Sequence, residues 1–107
     1  MPRLTLDFET RSTIELTAAG PWKYAAHETT QVIVLSVLPE GGEPLSWIPP
    51  WVQKIVGDGD WLKDSELVWQ LKNADKYEAH NMEFERAMWE HVMVRKYGFP
   101  PLDLDRC

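Results

Sequence analysis

One cysteine, no long apolar run and a shortage of cations each exclude a class of protein. Cys107 is the sole cysteine, so neither an internal disulfide nor a cysteine metal cluster can form, and adventitious intermolecular oxidation is its expected chemistry. No apolar stretch approaches the roughly 20 residues of a membrane-spanning helix. The first residues also lack the charged segment and apolar core of a secretory signal, so the expected setting is the cytoplasm, with no membrane partner. Eleven Lys and Arg face seventeen Asp and Glu, a net charge of -6. Gripping duplex DNA by charge alone would need clustered cations, and this balance argues against it. Internal repeats, low-complexity tracts and interdomain linkers are missing too.

What is present is a globular composition, 44% hydrophobic and 11% aromatic over 107 residues. That length holds one core and not two, so a single domain over 1–107 is expected. In Leu4-Thr5-Leu6-Asp7-Phe8-Glu9 apolar and polar residues alternate as in a half-buried strand. From Arg11 to Thr30 the composition turns mixed, with Gly20-Pro21 as a breaker before a short helical turn. Arg11, Ser12 and Thr13 are expected to be ordinary loop residues, and Trp22 and Tyr24 core plugs. Val32 to Leu38 is almost wholly apolar and β-branched, which suits a central strand covered on both faces. Leu45 to Ile48 predicts a third, antiparallel strand that Pro49-Pro50 cuts off. The acids of Gly57-Asp58-Gly59-Asp60 lack the spacing and closing Glu of a calcium loop. Leu62 to Ala74 predicts a helix with Leu67, Leu71 and Ala74 on one stripe. Lys76 to His80 predicts a short strand. Met82 to Tyr97 predicts a long helix with Phe84, Met88 and Val92 inward, stopped by Gly98 and Pro100-Pro101.

Two short motifs carry candidate chemistry. Asp7 and Glu9 fall on the same face of the first strand, opposite Leu4, Leu6 and Phe8, so a rigid element holds both carboxylates. In His80-Asn81-Met82-Glu83-Phe84-Glu85, Asn81 suits a helix cap and Glu85 the first turn, so a sharp strand-to-helix turn would carry a third carboxylate towards the first two. Each motif alone also suits an ordinary role, since strands carry outward acids and Glu complements the positive end of a helix dipole. His80, just before the turn, is expected to orient or support and not to act as a general base.

Together, D-x-E-T after an apolar strand and H-N-x-x-F-E opening a later helix resemble the DEDD family of 3'-5' exonucleases, above all the proofreading domain of phage and bacterial family A DNA polymerases. Asp7 to Glu28 and Ala79 to Trp89 both look like phage polymerase sequence. The resemblance implies an α/β ribonuclease H-like mixed sheet, in the order β-β-β-α-β-α and incomplete at the C-terminus, and a phage or bacterial host cytoplasm. It implies Mg2+ or Mn2+ as cofactor, two ions in the complete site. Asp7 would bridge both, Glu9 would bind the first near the terminal 3'-hydroxyl, and Glu85 would reach the second through water. Thr10, Asn81 and Phe84 would contact the 3' end of single-stranded DNA.

Two departures temper what the resemblance implies. Glu85 stands where most relatives carry Asp, one methylene shorter. The third motif, a Tyr or His and then an Asp on a later helix, has no counterpart, because Asp103 and Asp105 fall where the approach to the next strand is expected. Weak metal binding, slow or no cleavage, and an uncovered sheet face that a homodimer or a partner chain completes are the resulting expectations. The alternative is a non-catalytic binding or regulatory module derived from the same fold, and a ribonuclease of that fold is a third possibility.

Overall fold

Leu4, Leu6 and Phe8 are buried while Asp7 and Glu9 are exposed along β1 (Arg3–Arg11), the first element of the computed structural model, which describes residues 2–107. Two short helices follow, α1 (Leu16–Ala19) and α2 (Pro21–Ala26). The second opens on Pro21, whose fixed φ and missing N–H suit a first helical position. The chain returns as β2 (Gln31–Pro39), antiparallel to β1, and turns into β3 (Leu45–Trp47), antiparallel to β2. Helices α3 (Pro50–Val56) and α4 (Asp64–Asn73) lead to β4 (Lys76–Glu78), which pairs parallel with β1. The four-stranded mixed sheet has the order β3-β2-β1-β4.

The long helix expected after β4 is present as α5, residues 82–97, but its hydrogen bonding changes midway. Met82–Met88 is α-helical, Trp89–Val94 winds as a π-helix, and Arg95–Tyr97 is α-helical again. The π segment fills the core, with Trp89, Val92 and Met93 all buried. Gly98 ends the helix at φ 75°, a conformation that L side chains resist, and donates its N–H to the Val94 carbonyl at 3.1 Å. A short 3-10 turn, Leu104–Arg106, closes the described chain, where the approach to a strand had been expected. Arg106 reaches back from it to the Leu71 and Lys72 carbonyls at the end of α4, both at 3.1 Å. Among the described residues no helix is long and apolar enough to cross a membrane.

The core occupies one side of the sheet. Leu4, Leu6 and Phe8 meet Leu35 and Val37 of β2, Trp47 of β3 and Tyr77 of β4, and α5 and the Leu67 and Leu71 stripe of α4 pack over them. The other side stays uncovered. Thr5, Asp7 and Glu9 stand beside Leu38, Ser36 and Val34, all half-buried or exposed. The expectation that β2 is covered on both faces is therefore corrected. Its apolar run lies inside the sheet, but Leu38 is 42% exposed. A second difference is α3. Pro49-Pro50 does end β3, yet Pro50 also starts a helix, and Trp51 in its first turn donates to the Val32 carbonyl at 3.1 Å.

Candidate functional site

The site begins with an unpaired amide. Glu40 donates its N–H to the Arg3 carbonyl, so odd-numbered β1 residues face β2 in the ladder and even-numbered ones face β4. The last β1–β4 pair is Thr5 with Glu78, after which β4 turns away towards α5. The Phe8 N–H is thus left without a strand acceptor. Glu85 supplies one, accepting that N–H at Oε1 over 3.4 Å. Asn81 makes this approach possible by capping the helix, its Oδ1 accepting the Phe84 N–H at 3.4 Å.

Glu85 is only 4% exposed, and its second oxygen, Oε2, is buried with no hydrogen-bond partner. Burial pushes its carboxyl above the ordinary carboxylate range. The Phe8 N–H opposes that shift, the negative charge of Asp7 adds to it, and the Glu85 N–H and His80 offset it in part. Among the described residues no Lys or Arg forms an ion pair with Glu85. A buried carboxylate beside a second acid, with one oxygen unsatisfied, favours a proton or a cation.

The structure brings Asp7 and Glu85 within electrostatic reach and sets Asp7 and Glu9 on one exposed face, as expected. It does not gather all three. Among the described residues no group of three or more His, Cys, Asp or Glu side chains is placed to hold a metal ion. Glu85 Oε1 is taken up by the Phe8 N–H of β1. Asp7, Glu9 and Glu85 fit Mg2+ or Mn2+ in kind, as hard oxygen donors with one orphaned oxygen among them, but fall short in number. Asp103 lies elsewhere, capping the Asp105 N–H at 3.1 Å and pairing with Arg106 at 3.2 Å.

The three residues expected at nucleic acid, Thr10, Asn81 and Phe84, lie on β1 and at the start of α5. Phe84 is half-buried, its ring 6.1 Å from that of Tyr24 and tilted by 47°. The Tyr24 hydroxyl in turn bonds the Thr10 hydroxyl at 2.9 Å, just past the point where the β1–β2 register slips between Glu9 and Thr10. Asn81 is exposed, so its amide nitrogen remains free while its oxygen caps the helix. Tyr24 is buried as expected, but Trp22 is 39% exposed and is not a core plug. Its indole donates to Glu83 at 3.2 Å and meets His91 edge-on at 5.9 Å.

Two further networks support these elements. The Thr29 hydroxyl bonds Thr13 Oγ1 at 2.7 Å, and Thr30 donates to Ser12 at 2.8 Å, which ties the loop after β1 to the start of β2. Arg11 stacks 4.4 Å over the Trp51 ring and donates to Gln31 at 2.7 Å. A Thr-rich stretch before an apolar strand was the available signal for the first, and nothing local foretold the second.

Comparison of the chain with protein families, with curated proteins and with solved structures returned no match.

Proposed function

We propose that this chain forms the front part of a ribonuclease H-like 3'-5' exonuclease site, acting on DNA 3' ends, and that the site is incomplete in metal ligands. The observation that carries the reading is the convergence of Glu85 on the strand that bears Asp7 and Glu9, with Glu85 Oε2 buried and unpartnered. The sheet order, with β1 flanked by antiparallel β2 and parallel β4, suits that fold.

In this reading Asp7 and Glu9 offer oxygens from a rigid strand, and Glu85 offers its unpartnered Oε2. Asn81 donates from its free amide nitrogen to a terminal phosphate or sugar. Phe84, backed by Tyr24, offers an apolar surface to the last base. Thr10 is held in place by the Tyr24 hydroxyl. A divalent ion such as Mg2+ or Mn2+, when bound, would activate water and offset charge on the leaving 3' oxygen. The uncovered side of the sheet, which includes Leu38, is where a second copy or a partner chain would complete the domain. A clean monomer by sedimentation at micromolar concentration would count against that completion.

The test is calorimetric titration of Mn2+ into wild type and Asp7→Ala, with degradation of 3'-labelled single-stranded DNA on the same samples. Weak, Asp7-dependent binding with slow or no cleavage is expected. Full cleavage in Mg2+ that Asp7→Ala abolishes would show a complete site and overturn the incompleteness. Failure to bind Mn2+ would favour the second reading, a non-catalytic module. The observation behind that alternative is the bond from Phe8 to Glu85, which a purely structural carboxylate would also make.

A further inference from the structure

A cavity of about 230 Å³ lies on the flank of α5, one residue round the helix from Glu85. Trp22 of α2, Arg86, Trp89 and Glu90 of α5, and Pro101 and Leu102 beyond it form its walls. The walls are mostly apolar and aromatic, and the charges are one of each sign. Arg86 is the unusual member. It forms no hydrogen bond or ion pair among the described residues, and its Nε is buried without a partner. Arg86 lines the cavity, and its two terminal nitrogens are not among the buried unpartnered atoms. A half-buried guanidinium with no acceptor in the protein is available to a ligand that brings one.

The volume and the charges narrow what would meet it. The cavity is smaller than the roughly 300–1,000 Å³ of sites for drug-sized ligands, which leaves room for one ring system. An anion gains little where Arg86 and Glu90 cancel, whereas a neutral ring with acceptors on one edge and donors on another satisfies both. Trp22, 39% exposed, lines the cavity with an aromatic side chain that suits a flat ring. Among nucleobases, guanine presents O6 and N7 as a paired acceptor that matches the fork of a guanidinium, and its N1–H and N2–H groups are donors for a carboxylate.

We propose that this cavity binds a guanine base, with Arg86 on O6 and N7, Glu90 as acceptor for the base N–H groups and Trp22 against the ring. The sugar and phosphate would remain outside. This inference does not depend on the exonuclease reading, because it needs neither metal nor cleavage.

The test is calorimetry on the full chain in EDTA with GMP, AMP, CMP and UMP, together with an NMR map of the indole N–H resonances. Saturable GMP binding with Kd of about 1 mM or tighter is expected, at least about tenfold tighter than for the other three. Arg86→Lys keeps the charge but loses the fork, and Trp22→Leu loses the aromatic face. Each should weaken GMP binding about tenfold or more with an unchanged far-UV spectrum. In wild type, GMP should shift the Trp22 and Trp89 indole signals, which decides the matter should a variant misfold. No saturation with GMP, equal affinity for all four nucleotides, wild-type affinity in Arg86→Lys, competition by inorganic phosphate, or unmoved Trp22 and Trp89 signals would each overturn the proposal.

Discussion

Glu85 Oε1 and the Phe8 N–H stand 3.4 Å apart, a bond between the first turn of α5 and the strand that carries Asp7. It joins residues far apart in sequence. It also sets the electrostatics of the candidate site, because it draws a carboxylate into a place where one oxygen is satisfied and the other is not.

Glu85→Gln should therefore stabilise the protein at neutral pH. The carboxyl is raised in the folded state, chiefly by burial, so folding favours its protonated form. The stability this group contributes is full below the unfolded carboxylate pKa and is lost as pH rises through the raised folded value. A neutral amide still accepts from Phe8 and relieves the buried charge. Urea denaturation at pH 7.5 should show a gain of about 1 kcal/mol, which shrinks as pH falls from the raised folded value to the ordinary Glu range. A loss at pH 7.5 would mean that the carboxylate is already compensated.

Asp7→Asn should lower the Glu85 pKa towards the ordinary range without reaching it, since Asp7 repulsion adds to a shift that burial dominates. Carbon-detected NMR titration of the Glu85 carboxyl reads this directly. An unchanged midpoint would place the two acids beyond each other's influence.

Tyr24→Phe keeps the ring against Phe84 and removes the bond to Thr10. The expected loss is about 1 kcal/mol by chemical denaturation. If Phe84 and Thr10 meet DNA as proposed, weaker binding of a short single-stranded oligonucleotide should accompany it.

Gly98→Ala should cost about 1–2 kcal/mol. An added Cβ there meets nothing within 4 Å, so the cost is conformational, from holding a side chain at φ 75°. Thermal unfolding that matches wild type would show that the end of α5 can rewind.

Strand and helix patterns were legible where period and burial agree. The alternation of β1 and the stripes of α4 and α5 encode which side faces the core, and the structure follows them. The paired prolines were ambiguous, because a residue that stops a strand also suits a helix start. The β2 run looked fully covered because apolar composition does not say whether a layer is present on each side. The π segment left no period to detect, and the inward turn of Glu85 depends on where β4 ends. Both acids of β1 were placed on the correct face, but whether three carboxylates meet is a matter of ångströms that spacing does not encode.

The brevity of β4 has one more consequence. Past Thr5 the flank of β1 has no strand beside it, and an open flank invites an extended segment of another chain. Any such segment would have to take the Phe8 amide from Glu85 and turn a buried acid out of its place. The carboxylate is thus a stopper on the sheet, and whatever draws it away, ion or substrate, also unseals an edge.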